Sequence, residues 1–346
     1  IDPEPFTQAE DDAVRLGLQA APLGTGENLY FGLVATNTID DRQVVPFFSR
    51  EKEAFLEYDL TRMIFNLSDP KKPVVGLITG LEMNADASPM MRFSGGAQPW
   101  AIIAAIREVF DLRTLQPNQG VIPKDVDILL IAHPMGLSEP ALYAIDQFVL
   151  AGGPVIFFTD PFAENSPKNP QNNVQYLFPT SDLNTLFSAW GIDQVDDRIV
   201  GDREMAIRIT GFAGPNRVVT DYVPWLQIRQ DAFNQDDVVT GTLQLMRMSA
   251  AGGLRETGQE GVTISPLIQT TRDSMMLDSI AVRRRGDPKD LLDIFEPEGV
   301  RQTVAARITG MVNTAFPDGK PADPADFGPE PGEGEAAEVE EEPQIM

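Results

Sequence analysis

The stretches PVVGLITG at residues 73–80, VDILLIA at 126–132 and PVIFFT at 154–159 decide the fold of this chain. Each is a short, predominantly apolar run rich in β-branched or aromatic side chains. Such runs are typical of strands that are covered on both faces of a sheet. The three runs therefore predict three strands of one buried sheet.

The two segments between these strands carry helix signals. Residues 99–112 begin with a proline, which is favoured in a first helical turn, and continue with a broad apolar face. The second segment begins near Ser138, a favourable N-cap residue, and stops at Gly152 and Gly153. The order β-α-β-α-β, with right-handed crossovers, predicts a three-layer α/β domain with a mainly parallel sheet, which we expect to span residues 71–320.

Residues 1–70 show a different order of signals. A strand end at residues 1–5, a helix at 8–19, a hairpin formed by 28–36 and 43–48, and a helix at 50–67 give the order βαββα. This order resembles part of a thioredoxin-like fold. We therefore expect a partial thioredoxin-like module ahead of the α/β domain.

The remainder of the chain predicts extra β segments and an acidic tail. Short β-rich segments lie between residues 198 and 269, and residues 287–292 and 301–311 predict helices. Residues 321–346 contain nine acidic and no basic side chains, together with five prolines. Because this composition cannot offset the entropy lost on ordering, we expect a disordered tail.

Composition excludes several classes of protein. The 346 residues carry a formal net charge of −25, with one concentrated basic run at residues 283–285, so we expect no nucleic-acid partner. The absence of cysteine excludes disulfides, thiolate metal sites and cysteine nucleophiles. No run approaches the roughly 18 apolar residues that span a bilayer, and the first residues do not resemble a signal peptide. We therefore expect any membrane anchor to lie outside this chain.

The loops after the three strands form the candidate ligand site, because open α/β sheets bind ligands beyond the carboxyl ends of their strands. Ser94 and Gly95 could also present backbone amides to an anion at the start of the following helix. His133 is the only histidine, and its alternative role is structural; the alternative for Asp160 is a turn or a helix cap. The predicted ligand-binding residues are Leu81, Glu82, Met83, Ser94, Gly95, His133, Pro134, Met135, Asp160, Pro161 and Phe162.

No catalytic residue, cofactor or metal is predicted. The short signatures of phosphate-binding loops, dinucleotide-binding turns, zinc proteases, nucleophile elbows and EF-hands do not occur. The acidic pairs at residues 40–41, 196–197 and 236–237 lack the spacing of a calcium loop and predict solvated turns.

Arg283, Arg284 and Arg285 form the predicted partner-binding site. Three adjacent arginines concentrate positive charge in an acidic chain, so they could dock an acidic partner, an anionic membrane surface or the acidic tail of this chain. A solvated turn is the alternative.

Several stretches resemble the auxiliary component of gliding-motility-type ABC transport systems, the GldG-like family. They occur in the same order along about 320 residues. The stretches are IDPEPF at 1–6, ENLYFGLV at 27–34, PFF at 46–48, EAFLEYDL at 53–60, KKPVVG at 71–76, VDILLIAHP at 126–134, AIDQFVLAGGPVIFFTDP at 144–161, SP at 265–266 and AARITGMVNTAFPDG at 305–319.

The resemblance implies the periplasmic region of a membrane-anchored protein that works with an ABC permease and an ATPase. It also implies a central domain similar to one shared with intraflagellar-transport proteins and related to class I glutamine amidotransferase-like folds. An amidotransferase of that class needs a cysteine nucleophile, which this chain lacks. We therefore expect a non-enzymatic scaffold, located at the periplasmic face of the inner membrane.

Two other functions stay open. The crevice could bind a solute, with a glycan or a peptide as the ligand. Alternatively, a serine or aspartate hydrolase could use Ser94, His133 and Asp160, the only residues that such an enzyme could recruit there.

Overall fold

The computed structural model describes residues 3–23, 28–68, 71–84, 98–118, 120–165, 180–181, 183–213, 216–284 and 288–322. The chain divides into two compact units. Unit 1 comprises residues 1–74 and 99–112, and unit 2 comprises residues 75–98 and 113–346. Within the described residues, no helix has the length and apolar character needed to cross a bilayer. The tail at 323–346 lies outside the described residues, and the domain boundaries near 70 and 320 stay predictions.

The described part of unit 1 contains three helices and two small antiparallel sheets. Strand β1 pairs with β2, and β3 pairs with β4. The helices are α1 (Gln8–Arg15), α2 (Leu56–Leu67), which follows a 3-10 turn (Arg50–Phe55), and α3 (Ala101–Val109); the strands are β1 (Ala20–Pro22), β2 (Asn28–Tyr30), β3 (Leu33–Thr36) and β4 (Arg42–Val45).

The element order of the N-terminal region differs from the predicted βαββα. Residues 3–5 form no strand, and β1 follows the first helix, so residues 3–68 read αββββα. The predicted long strand at 28–36 is interrupted at Gly32. A Cβ at that glycine would lie 2.5 Å from the carbonyl oxygen of Val45 and 2.7 Å from that of Pro46. Only a glycine permits this close approach of two backbone segments.

Polar contacts join the helices of unit 1. The guanidinium of Arg62 on α2 pairs with the carboxylate of Glu108 on α3. The ammonium of Lys72 donates to the carbonyl oxygens of Arg107 and Glu108, at 3.2 and 2.9 Å. The ion pair links α2 with α3, and the contacts of Lys72 link α3 with the segment at residues 71–73.

A parallel sheet forms the centre of the chain, as predicted. Its strands are β5 (Val74–Thr79), β6 (Asp111–Thr114), β7 (Ile128–Ala132) and β8 (Val155–Phe158), in the order β6-β5-β7-β8. This is the 2-1-3-4 order of doubly wound folds, in which the strand order reverses between the first and third strands. The topological switch point therefore lies between β5 and β7.

Strand β6 was not predicted, since residues 99–112 read as one helix. Helix α3 ends at Val109, and the following residues run along β5: the amide of Asp111 donates to the carbonyl of Pro73, and that of Leu115 to Leu77. The sequence DLRT of β6 lacks an apolar run because this strand lies at the edge of the sheet and is half exposed.

The second predicted helix is confirmed. Helix α4 (Glu139–Leu150) begins after Ser138, whose hydroxyl oxygen accepts from the amide of Ala141 at 3.4 Å. It ends before Gly152, which adopts a φ of +87°. A left-handed residue just beyond a helix is the usual glycine stop.

The rest of unit 2 is mainly antiparallel. Three sheets have the orders β10-β16, β11-β12-β13 and β15-β17-β14-β9. The elements are α5 (Asn184–Ala189), β9 (Ile192–Gln194), β10 (Arg198–Asp202), β11 (Ala206–Ala213), β12 (Asn216–Arg229), a 3-10 turn (Gln230–Ala232), β13 (Leu245–Ser249), β14 (Leu254–Glu256), β15 (Val262–Gln269), β16 (Ser274–Asp278), α6 (Ser279–Arg283), α7 (Pro288–Asp293) and β17 (Thr303–Gly310).

The helix predicted at residues 301–311 was wrong, because this segment is strand β17. It pairs along its length with β15, from Gln269 opposite Thr303 to Val262 opposite Gly310. The apolar spacing of the segment fits a helix, but its threonines, valine and isoleucine favour a strand once a partner strand is available.

A buried carboxylate fastens the end of the described chain to α4. Asp146 on α4 is fully buried and accepts hydrogen bonds from the indole of Trp190 at 3.1 Å, the hydroxyl of Thr314 at 2.6 Å and the amide of Ala315 at 3.1 Å. The ring of Phe316 packs edge-on against Tyr143 of the same helix. The segment that precedes the acidic tail is therefore held by unit 2.

Candidate functional site

The loops that follow β5, β7 and β8 meet at the carboxyl ends of these strands. The amide of Gly80 donates to the carbonyls of Ala132 and His133, at 3.4 and 3.2 Å, and the amide of His133 donates to Phe158 at 2.7 Å. A Cβ at Gly80 would lie 2.7 Å from the carbonyl oxygen of His133, so a glycine is required for this approach. The predicted loops at residues 81–83, 133–135 and 160–162 are thus neighbours, while Ser94 and Gly95 lie outside the described residues.

His133 has a structural environment. It adopts a φ of +46° and is 1% exposed. Its Nδ1 lies 2.9 Å from the hydroxyl oxygen of Ser181, and its Nε2 has no hydrogen-bond partner among the described residues. Burial lowers the pKa of the imidazole to about 4, so the ring is neutral at physiological pH.

Ser181 joins this histidine to the end of β8. Its hydroxyl oxygen accepts from the amide of Asp160 at 3.0 Å, and its own amide donates to the carbonyl of Asp160 at 2.9 Å. A serine beside a histidine is the arrangement of an activated nucleophile. Here, however, both side chains are buried and the hydroxyl is already engaged by a backbone amide, which suits a structural contact better than attack on a substrate.

Asp160 lies beside a second carboxylate. Its side chain is partly buried, and burial, together with the nearby charge of Glu164, raises the pKa of Asp160 to about 6. Glu164 itself accepts a hydrogen bond from the indole of Trp225 at 2.8 Å. The carboxyl of Asp160 therefore changes its protonation near neutral pH.

Methionine side chains cover the switch point between β5 and β7. Met83 is buried, and its sulfur lies 3.5 Å from the hydroxyl of Thr79, at the end of β5. The Cε of Met135 lies 3.4 Å from the position of a Cβ at Gly80. Leu81 is half-buried, Glu82 is exposed and Pro134 is buried. Buried loop side chains thus lie where the crevice was predicted, and ligand binding there stays a prediction.

A polar cavity of about 240 Å³ lies beyond the end of β8 instead. Pro161 is the only predicted site residue that lines it among the described residues. The sequence analysis missed the others, although it noted the acidic pair at 196–197 and interpreted it as a turn. The lining residues are Pro161, Thr180, Ser181, Asn184, Gln194, Val195, Asp196 and Asp197.

The two described arginines of the predicted cluster have different environments. Arg283 is 11% exposed at its side chain, donates to the carbonyl of Pro161 at 2.8 Å and lies 5.5 Å from the ring centre of Phe162. It also lies 3.8 Å from the carboxylate of Asp197, at the cavity. Arg284 is exposed, and Arg285 lies outside the described residues. Arg283 therefore supports the loop after β8, which leaves little of it for docking a partner.

Within the part of the chain that the structure describes, no group of three or more histidine or acidic side chains could hold a metal ion. Among the described residues, the carboxylates that line the cavity are those of Asp196 and Asp197. Together with the polar side chains beside them, they offer hydrogen bonding and charge recognition.

Fold and site together define an α/β domain with a doubly wound parallel sheet and a small polar cavity near the strand ends. The chain belongs to the family of auxiliary proteins described as "ABC-type uncharacterized transport system", which matches residues 72–344. The resemblance to an ABC transport auxiliary family is thereby confirmed at this level. The chain has no significant match among curated proteins or solved structures.

Proposed function

We propose that this chain is the non-enzymatic accessory region of an auxiliary subunit in a GldG-like ABC transport system. Family membership over residues 72–344 carries the proposal. In this proposal the chain lies at the periplasmic face of the inner membrane, segments outside it supply the anchor, and it contacts the permease and ATPase subunits. Gliding motility is one process that such a system could serve.

The geometry around His133 supports a non-enzymatic role. The ring is 1% exposed and its pKa is lowered to about 4, so it is a weak base that is shielded from a substrate. Ser181, the hydroxyl within hydrogen-bond distance, is committed to the amide of Asp160. The hydrolase hypothesis named Ser94, which lies outside the described residues, and it gains no support from the part of the site that is described.

Helix α2 supports a binding role, because it exposes large apolar side chains. Tyr58, Ile64 and Phe65 are 60%, 70% and 40% exposed, respectively. Exposed apolar side chains that lie near one another are typical of protein interfaces. We expect this helix to contact another subunit of the transport system.

Copurification tests the proposed function. The full-length protein, expressed at its native level and crosslinked in intact membranes, should recover the permease and the ATPase encoded beside it. The same pull-down with an unrelated periplasmic membrane-anchored protein is the control. Recovery of neither subunit above that control would overturn the accessory role.

A solute-binding function is the second candidate, and the cavity beyond β8 favours it. Its lining is polar and includes Ser181, Asn184 and Asp196. A glycan or a peptide end could form hydrogen bonds with such groups. Because ligand at 100 times its dissociation constant adds about 2.7 kcal/mol to stability, a thermal-shift screen of sugars and short peptides should show a clear rise in melting temperature. A flat response across the screen would contradict this candidate.

A further inference from the structure

Unit 1 has a very small core. Among the described residues, four apolar side chains of this unit are buried, compared with thirty-five in unit 2, although unit 1 comprises about a quarter of the chain. The four are Ala13, Met63, Val74 and Ile103. A unit of this size has to bury more than about half of the surface that its unfolded chain exposes, in order to offset the entropy lost on folding. Unit 1 on its own therefore gains little free energy from burial.

Large apolar side chains of unit 1 lie in water instead. Thirteen of them are at least 38% exposed, whereas the described part of the much larger unit 2 exposes fourteen. At roughly 100 Å² each, about half of the area of a large side chain, these thirteen present more apolar surface than the about 800 Å² that one partner of a stable interface buries. Unit 1 therefore exposes enough apolar surface for a partner to cover.

The small sheets of unit 1 add little stability. Strands β1 and β2 form one pair and β3 and β4 another, with three or four residues in each strand. A pair of strands is marginal in water unless a further strand or a helix packs on it. Helix α2 lies beside β3 and β4, but Met63 is its buried residue among those described. Regions with few buried apolar contacts open most readily, so unit 1 should be the weaker of the two units.

Phe6 presents an aromatic ring to the solvent. Its side chain is fully exposed, at 101%, and its backbone adopts a φ of +64°. Two contacts hold this turn: the amide of Phe6 donates to the carboxylate of Glu10 at 2.8 Å, and the hydroxyl of Thr7 donates to the carbonyl of Glu4 at 2.7 Å. A bulky residue at positive φ is strained and persists only where the surroundings hold it. A ring held outward in this way suits an aromatic anchor of an interface.

The charge of unit 1 selects among the possible partners. Its sequence contains fifteen acidic and eight basic side chains, a difference of −7. A second copy of this chain and an anionic membrane surface would both repel it. A protein surface that is apolar at its centre and basic at its edge matches both the exposed side chains and the charge.

We propose that unit 1 completes its fold only against such an apolar surface, edged with basic residues, on another subunit of the transport system, with Phe6 as an aromatic anchor. This inference rests on the proposed function and deepens it, because it assigns the contact to unit 1 and couples that contact to folding. Unit 2 contains hydrophobic clusters of its own and stays folded with or without the partner.

Hydrogen exchange of the full chain, alone and in the purified complex with the permease and ATPase, tests the inference. In the chain alone, the amides of α2 should exchange at least about tenfold faster than those of α4, which belongs to unit 2. In the complex the amides of α2 should slow by at least about tenfold, because burying one large apolar side chain shifts an opening equilibrium by about that factor. The amides of α4 are the control and should keep their rates.

Other results would overturn the proposal. Equal protection of α2 and α4 in the chain alone would show that unit 1 is complete without a partner. Protection of α2 that rises when the chain alone is concentrated roughly a hundredfold would indicate a second copy, and protection by phosphatidylglycerol vesicles would indicate a membrane. A complex that forms without protecting α2 would overturn this inference and leave the proposed function intact, whereas failure of the complex to form would overturn both.

A variant of Phe6 tests the anchor. Phe6→Asn removes the ring, and asparagine tolerates a positive φ, so the turn should be kept. Recovery of the permease in the crosslinked pull-down should fall roughly tenfold, a loss typical of an interface hot spot. The matched control is Val238→Asn, at an 88% exposed position of unit 2, and it should leave recovery unchanged. Equal recovery with the two variants would overturn the assignment of Phe6.

Discussion

His133 holds four segments together at the residue scale. Its carbonyl accepts from Gly80, its amide donates to Phe158, and its side chain reaches Ser181, 48 residues further along the chain. A non-glycine residue at positive φ is strained, and such strain persists only where the surrounding contacts hold it. The single histidine therefore has a structural role: its hydrogen bonds connect the ends of β5, β7 and β8 with the segment at residues 180–181.

The contact between His133 and Ser181 should appear in a double-mutant cycle. His133→Ala and Ser181→Ala should each lower the free energy of unfolding by about 1–3 kcal/mol, because each leaves a buried polar group without its partner. The double variant should lose about 0.5–1.5 kcal/mol less than the sum of the two, since the shared hydrogen bond is removed only once. Denaturant unfolding gives all four values. Strict additivity would contradict the structural role.

Asp160 should make stability depend on pH near neutrality. Its pKa in the folded chain is about 6, raised from an ordinary 3.8, so folding opposes its ionisation. The free-energy cost of ionising Asp160 is fully present at pH values above its pKa in the folded chain. It disappears at pH values below its pKa in the unfolded chain. Asp160→Asn should therefore stabilise the protein by about 2–3 kcal/mol at pH 7.5, and the gain should shrink by roughly 1 kcal/mol at pH 5. Denaturant unfolding at both pH values measures it.

Comparing Asp160→Asn with the unsubstituted protein at each pH isolates the contribution of Asp160 to stability. His133 works in the opposite direction, because a lowered imidazole pKa costs stability as pH falls, but it is present in both proteins. The exposed Asp193→Asn removes the same formal charge and should show no such change between the two pH values. A stability gain for Asp160→Asn that is constant from pH 5 to 7.5 would rule out the raised pKa.

At the scale of elements, helix α2 does not bury the whole of its apolar pattern. Met63 is buried, whereas its neighbour Ile64 is largely exposed, and Tyr58 and Phe65 are exposed as well. Each large apolar side chain that leaves water gains about 1.5–3 kcal/mol. A helix with this surface is well suited to dock against a second protein.

A charge introduced on the exposed side of α2 should weaken binding and leave folding intact. Ile64→Glu places a carboxylate on an exposed position, so the melting temperature should change little, while recovery of the permease and ATPase in the crosslinked pull-down should fall several-fold. The matched control is Ile39→Glu, since Ile39 is 65% exposed in the loop between β3 and β4. Recovery equal in both variants would exclude the α2 face as the contact surface.

The sequence predicted elements well where one local signal decided the structure. The runs of β5, β7 and β8 and the capped helix α4 were found because continuous burial and capping are written in neighbouring residues. Strand β17 was missed because its pairing with β15, about 40 residues earlier, outweighs its helical spacing. The cavity was missed for the same reason: Pro161, Ser181 and Gln194 come together only in the folded chain.

On the scale of the whole molecule, the end of the chain is strongly acidic, whereas the segment just before it is held by hydrogen bonds. The net charge of −25 includes nine carboxylates after residue 320. The segment just before them is held by Asp146 through Thr314 and Ala315. Among the described residues, contacts that hold this end of unit 2 thus lie just before the acidic tail.

Deleting residues 321–346 should leave the melting temperature almost unchanged. Nine like charges without a basic residue repel one another, and at about 0.15 M salt their attraction to distant arginines is screened beyond roughly 8 Å. Differential scanning calorimetry of the full and shortened chains measures the difference. A fall of more than about 5 °C, equivalent to at least 1–2 kcal/mol, would show that the tail is part of the fold. The variant Thr314→Val, which removes a hydrogen bond to Asp146, is the positive control and should lower the melting temperature.

The methionine cover over the switch point gives the protein a built-in spectroscopic reporter. The chain has 12 methionines, and the thioether of Met83 and the methyl group of Met135 lie beside Thr79 and Gly80. Methionine methyl groups give sharp resonances, since the methyl group rotates rapidly about its bond to sulfur even when the side chain is buried. With ¹³C-methyl labelling, a molecule that enters between β5 and β7 must displace both groups and shift both resonances, whereas one that occupies the cavity beyond β8 should leave them in place.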